Sequence, residues 1–357
     1  MKQLFFTSIF FIISSFSALA ADTDINTDMD TTLLMDVEKQ FNSASDKRGA
    51  NFALSKIDTS TPEVKILMDS LWKGDFFGLT PYHDSYFLPV SMANSKYPRI
   101  SENHHPNAPR TPLQEKYSQY GKTEVEFQIS FKKQLSYNFF GWNEFIFAAY
   151  TQTVWWQIYE RSSPFRETNY KPELYLSVPS SPYLDEYYGL KAVRYGFLHD
   201  SNGQDGYRSR SWNRLYVKWL WQWKNLFLAS RVWYRIPEKE KTYSYYHGNG
   251  YEPDGTETDP HQRGDDNPHI ENYLGYGDLT FHYLYSTSQF SSVLRYNFGV
   301  GGTQRGSVEF NWSYPFFHSK NMFWYTKIFS GYGESLIDYD RSVTKTSFGF
   351  SFSRALF

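Results

Sequence analysis

Beyond Tyr86, apolar and polar residues alternate singly along most of the chain. At 123–133, Val125, Phe127, Ile129 and Phe131 fall on one parity, while Glu124, Glu126, Gln128, Ser130 and Lys132 fall on the other. At 304–315, Val308, Phe310, Trp312 and Tyr314 oppose Glu309, Asn311 and Ser313. At 212–223, Leu215, Val217, Trp219, Trp221 and Trp223 oppose Arg214, Tyr216, Lys218 and Gln222. A period of two predicts strands with one apolar and one polar face. The pattern predicts twelve: 86–92, 123–135, 143–157, 173–179, 190–201, 212–223, 226–236, 273–286, 290–299, 304–315, 321–332 and 343–356. Several exceed the roughly 9–11 residues that a tilted strand needs to cross a bilayer. An even count, with short turns and some long loops, predicts an all-β fold: a transmembrane antiparallel β-barrel of 12 strands over 81–357. The polar connection 237–272 is its predicted extracellular loop.

A soluble β-sandwich also alternates. Three tryptophans in succession on one face, with Lys and Arg opposite, favour the membrane barrel. Composition sharpens the choice. Aromatic residues make up 20% of the 357, with 31 Phe, 30 Tyr and 11 Trp, enough for girdles at both membrane interfaces. The formal net charge of -2 excludes a strongly basic nucleic-acid binder, and no nucleic-acid partner is expected. There is no cysteine, hence no disulfide scaffold and no thiolate metal site. The chain ends in Phe357, a common end for an outer-membrane barrel, yet Phe357 is out of register with Phe348, Phe350 and Phe352. A bulge or a non-strand end would account for this.

Residues 1–20 read as a secretory signal peptide: Lys2 is the charged region, Leu4 to Phe16 the apolar region, and Ala18-Leu19-Ala20 the cleavage site. Residues 21–80 form a polar extension with a helical-looking stretch around Thr61 to Trp72. Secretion without cysteine suits a bacterial envelope protein.

One segment carries candidate chemistry. On the strand ending near Ser201, the apolar parity holds Val193, Tyr195 and Phe197, then His199 and Ser201. On the next strand, the apolar parity of Leu215, Val217 and Trp219 includes Asn213. A hairpin closed by 202–211 brings these three polar side chains together on a lipid-facing surface. A serine hydroxyl is a poor nucleophile until a base takes its proton. His199 suits that base, and Asn213 can fix its tautomer as the carboxylate does in the usual triad. A neutral amide avoids desolvating a carboxylate beside lipid. The Gly203 N–H is a candidate oxyanion donor. The bare His-x-Ser spacing also fits ordinary interface residues at a strand end, and parity leaves that alternative open. Asp265 and Asp266 read as a solvated acidic turn on their own. His247, His261 and His269 lack zinc-ligand spacing and read as loop histidines.

Five ordered blocks resemble the outer membrane phospholipase A family: Tyr150-Thr151-Gln152 with Trp155-Trp156-Gln157; Ser162 to Tyr170; His199-Asp200-Ser201-Asn202-Gly203 with Ser209 to Tyr216; Asp265-Asp266-Asn267-Pro268; and Ser330 to Tyr339. They run from about residue 80 to the C-terminus. The resemblance implies a twelve-stranded barrel of the bacterial outer membrane that hydrolyses acyl esters of phospholipids (A1/A2 and lysophospholipase type). It implies dependence on calcium and activation as a homodimer in the bilayer. It implies Ser201 as nucleophile, His199 as general base and Asn213 as orienter. It further implies a calcium at the dimer interface. That ion is held by the Ser162 hydroxyl of one subunit and the carbonyls of Gln204 and Ser209 of the other. A second calcium position falls at Asp266, and Gln152 falls in the membrane-embedded dimer contact. Calcium takes oxygen ligands of these kinds.

Three departures stand out. Gln204 occupies a position where the family is expected to carry Arg. The connection from Trp155-Trp156-Gln157 to Ser162 is shorter than is usual in the family. The 237–272 loop is enlarged, with Tyr243–Gly250 and Gly255–Gly264 inserted. The rival reading is a non-catalytic pore or ligand-binding barrel, which a polar lumen fits equally well. A third is a structural barrel anchoring 21–80 to a partner.

Overall fold

The computed structural model describes residues 57–65, 78–100, 108–239, 259, 261–319 and 321–356. The expected signal peptide, most of the 21–80 extension and Phe357 lie outside these residues. All described residues belong to the unit 48–357.

Among the described residues, twelve antiparallel strands of eight or more residues form the barrel: β1 (Tyr86–Ala93), β2 (Thr123–Tyr137), β3 (Phe145–Trp156), β4 (Phe165–Pro179), β5 (Leu190–Ser201), β6 (Ser211–Trp223), β7 (Leu226–Arg235), β8 (Gly277–Tyr285), β9 (Ser288–Tyr296), β10 (Gly306–Pro315), β11 (Phe323–Gly331) and β12 (Val343–Ser351). Each pairs with its neighbours in sequence, and β12 pairs back onto β1, so the sheet closes into a barrel. Closure leaves no open edge and satisfies the backbone polar groups between strands, as a bilayer demands. Five connections, of two to ten residues, lie at one end: 138–144, 180–189, 224–225, 286–287 and 316–322. Six lie at the other end: 94–122, 157–164, 202–210, 236–276, 297–305 and 332–342. The short turns mark the periplasmic end.

Alternation sorts side chains as the sequence predicts. Ile129, Leu174, Phe197, Leu215, Leu279, Phe310, Ile328 and Phe348 are exposed on the outside. The opposite parity is buried and charged. Arg166 Nε meets Glu124 at 2.9 Å, Lys345 Nζ meets Glu126 at 2.7 Å, and Lys327 Nζ meets Glu126 at 2.8 Å. Lys345 also pairs with Glu334, and Arg166 with Asp338, both from the 332–342 connection. A polar cavity of about 230 Å³ remains, lined by residues such as Lys171, Asp200, Arg214, Lys218 and Asp278.

Three boundaries differ by four residues or more from those predicted. β4 begins at Phe165, not 173. Its first half carries Arg166, Glu167, Asn169 and Lys171 with Pro172, and the register slips between Trp155 and Trp156, so no clean alternation marks it. β8 begins at Gly277, not 273, because Glu271–Leu274 forms a short helix ending at Gly275. β12 ends at Ser351, not 356: the register against β1 shifts between Phe348 and Phe350, and the chain then leaves the sheet. Its tail is fastened across the barrel end. Ala355 N donates to Asp84 Oδ1 (2.8 Å), and Gln289 Nε2 donates to Ala355 O (2.8 Å). Part of the extension also packs on the barrel: Asp58 N donates to Gln222 Oε1, and Gln222 Nε2 returns a bond to Asp58 O, each at 2.8 Å.

Candidate active site

β5 and β6 place His199 directly opposite Asn213 and Ser201 opposite Ser211. The intervening residues Leu198, Asp200, Trp212 and Arg214 line the inner cavity. His199, Ser201 and Asn213 therefore point outward, because successive strand residues face opposite sides. Each is half-buried. The His199 Nδ1 and Asn213 Oδ1 atoms lie 2.8 Å apart. Ser201 is two residues from His199 on the same strand and the same face. Asp200, the carboxylate nearest in sequence, is turned away into the lumen, where Arg214 Nη2 and Trp212 Nε1 donate to it at 3.2 and 3.4 Å.

The 202–210 connection is organised by a residue that the sequence reading gave no role. Asn202 is buried, and its Oδ1 accepts from Gln204 N (3.2 Å) and Arg210 N (2.9 Å). Its Nδ2 donates to Arg208 O (2.7 Å) and Glu167 Oε2 (3.3 Å), so all the side chain's bonding capacity is used. Gly203 follows Asn202 at φ 62°, where a Cβ would come within 2.9 Å of the Tyr170 ring. That close approach and that backbone angle both require glycine.

The residues expected to hold calcium separate into two places. Ser209 Oγ donates to Asp266 Oδ2 at 2.6 Å, with half-buried Gln204 in the same connection. The acidic turn is anchored rather than merely solvated: Arg235 Nη2 donates to Asp265 Oδ1 (2.6 Å), Asn267 N donates to the same oxygen (2.9 Å), and Ser211 N donates to Asn267 Oδ1 (3.1 Å). Ser162 is exposed in the β3–β4 turn at φ 68°, on a different connection. The donors are all oxygens, the class that calcium takes. The Ser209 carbonyl accepts from Arg210 Nη1 at 2.5 Å, which leaves it one further lone pair. Gln152 faces outward on β3 with Tyr150 Oη donating to its Oε1 (2.9 Å), a polar pair on the apolar surface. His261 Nδ1 lies 3.0 Å from Asp205 Oδ2, and His247 lies outside the described residues.

Glu238 is a second residue that the sequence reading passed over. Asn213 Nδ2 donates to its Oε1 at 3.3 Å. Partial burial, with Asp265 and Asp266 nearby, pushes the Glu238 carboxyl above its usual range.

The phospholipase A1 family model matches residues 65–352. Putative phospholipase A1 of Neisseria meningitidis is 34% identical over 298 residues, covering 80% of this chain and 69% of that protein. Phospholipase A1 of Escherichia coli K12 is 37% identical over 230 residues, covering 64% and 69%. Among solved structures, outer membrane phospholipase A from Escherichia coli superposes with a TM-score of 0.60 at 31% identity, covering 77% of this chain and 98% of that one. The Salmonella typhi outer membrane phospholipase, solved as a dimer with bound calcium, gives 0.61 at 31%, covering 81% and 97%. With the closed twelve-stranded barrel and its apolar outer belt, these matches show that the chain is a bacterial outer-membrane β-barrel belonging to the phospholipase A1 family.

Proposed function

We propose that this chain hydrolyses acyl ester bonds of membrane phospholipids with a Ser201–His199–Asn213 triad on the outer barrel wall. The observation that carries the reading is the 2.8 Å pair between His199 Nδ1 and Asn213 Oδ1, outward-facing and two residues from Ser201. With Nδ1–H donated to Asn213, Nε2 holds the lone pair and takes the Ser201 proton as Oγ attacks the ester carbonyl. The Gly203 N–H steadies the oxyanion. His199 then returns the proton to the departing lysolipid oxygen, and water, deprotonated by His199, releases the fatty acid. Because the site faces lipid, the ester arrives sideways from the leaflet.

Calcium fits the oxygen donors, and the ion, when bound, supplies positive charge near the oxyanion. Ser209 and Gln204 carbonyls would hold it, with the Ser162 hydroxyl from a second copy and Asp266 at a neighbouring position. A ligand set split between copies makes activity depend on dimerisation, with outward Gln152 contributing a polar contact between barrels. Interior ion pairs such as Arg166–Glu124 and Lys345–Glu126 occupy the barrel interior and count against an open pore.

The test is fatty-acid release from phospholipid in detergent micelles with calcium. Wild type is expected to release it and Ser201→Ala to fall to background; equal release rejects Ser201 as nucleophile. Chelation is expected to abolish turnover and weaken the dimer seen by sedimentation. Unchanged turnover under chelator removes Ser162, Gln204 and Ser209 as ligands.

A further inference from the structure

The triad reading leaves Glu238 without a role, although its carboxylate reaches Asn213. Its placement is built into the fold. Chain leaving β7 stays beside β6, because Ile236 N donates to Asn213 O at 2.8 Å. Pro237 then stiffens the path, since its ring fixes φ. On the far side, Asp265 N donates to Lys239 O at 2.8 Å, and Asp265 is itself held by Arg235. The Glu238 backbone is thus fastened on both flanks, next to the side chain that faces His199.

We propose that Glu238 is a positioning residue that locks the Asn213 amide, and through it the His199 tautomer, for the hydrolysis proposed above, on which this inference rests. An ionised carboxylate only accepts hydrogen bonds. Asn213 must therefore turn its NH₂ toward Glu238, and its Oδ1 is left facing the imidazole. An amide oxygen only accepts, so His199 must carry its proton on Nδ1. Nε2 is then the free base on the Ser201 side. With no acceptor at 238 the amide can turn over and offer N–H to Nδ1; the proton then sits on Nε2, where it blocks general-base chemistry. A lone asparagine cannot hold its own orientation in this way. The carboxylate sits one residue farther from the reacting atoms than in a Ser-His-Asp triad.

The experiment compares Glu238→Ala, Glu238→Gln and Glu238→Lys with wild type and with Asn213→Ala, using the same micellar fatty-acid release at saturating calcium. Foldedness is scored by heat-modifiable migration on gels. Glu238→Ala is expected to lower kcat about 10-fold, against the roughly 10⁴-fold known for a fully mis-set tautomer, because water can accept in part. KM and the calcium concentration for half-activity are expected to stay put. Gln retains an acceptor oxygen and is expected to restore kcat to within about threefold. Lys presents only donors and is expected to be the most impaired. A packing role for residue 238 would move KM or folding and would not separate Gln from Lys. Full kcat in the Ala variant, or equal kcat in Gln and Lys, overturns the inference. Should the Ala variant fail to refold, the Gln–Lys contrast still decides. An inactive wild type rejects the phospholipase reading and this inference with it. An active wild type indifferent to residue 238 rejects this inference alone.

Discussion

At the residue scale, the candidate site depends on atoms separated by strand pairing rather than by sequence. His199 and Asn213 are 14 positions apart, yet they face each other because β5 and β6 pair in that register. Parity alone made this legible, since both fall on the apolar side of their strands. Glu238 was not legible, because it reaches the site from a connection with no period, 25 positions beyond Asn213. Asn213→Ala removes the acceptor for His199 and is expected to lower kcat by about 10²-fold or more, with KM little changed, read from initial rates. Gly203→Ala is expected to be comparably damaging for a different reason. The new Cβ meets the Tyr170 ring at 2.9 Å on a backbone angle unfavourable by about 1–2 kcal/mol for any other residue. The loop must shift, and the Gly203 N–H shifts with it. A variant with wild-type kcat would show that this N–H does not serve the oxyanion.

At the scale of elements, all twelve strands are visible as alternation, but some of their ends are not. β4 was half missed because Arg166, Glu167 and Asn169 are buried polar residues that bind the barrel interior, so their burial leaves no apolar trace in the sequence. Glu167 in turn holds Asn202 Nδ2, and Asn202 clamps the 202–210 connection. Asn202→Ala would strand the buried Arg210 N and the part-buried Gln204 N, each unsatisfied buried group costing about 1–3 kcal/mol. The pairing between barrel strands does not run through that clamp, although Glu167 loses one donor. The variant is therefore expected to keep its heat-modifiable migration while losing at least about 10-fold in activity and becoming cleavable by protease within 203–209. Cleavage no faster than in wild type would remove Asn202 as the organiser of this connection.

At the scale of the whole molecule, ring closure is secured where β1, β12 and the chain's end meet. Lys345 on β12 faces Glu124, Glu126 and Glu334 in the interior. Removing it leaves these buried carboxylates with only Arg166 and Lys327 to balance them, a loss expected to reach about 3 kcal/mol for Lys345→Ala in urea unfolding from micelles. At the opposite end Asp84, on the approach to β1, accepts from Ala355 N (2.8 Å) and Tyr325 Oη (3.1 Å), tying the C-terminal tail to the start of the barrel. Burial pushes its carboxyl up to about 6 from 3.8, against the lowering influence of those two bonds. A folded-state value above the unfolded one means that the folded protein binds more protons between about pH 4 and 6. Stability from this group is therefore greatest below that window and falls as pH rises through it. The cost is complete above about 6 and amounts to roughly 3 kcal/mol at most. Asp84→Asn keeps an acceptor for Ala355 and cannot ionise, and the Tyr325 hydroxyl can reverse its bond. The stability difference between Asp84→Asn and wild type is expected to move in favour of the variant from pH 4 to pH 7. Other titrating groups are common to both proteins and cancel in that difference. A difference that stays flat across this range would show that the Asp84 carboxyl carries no desolvation cost.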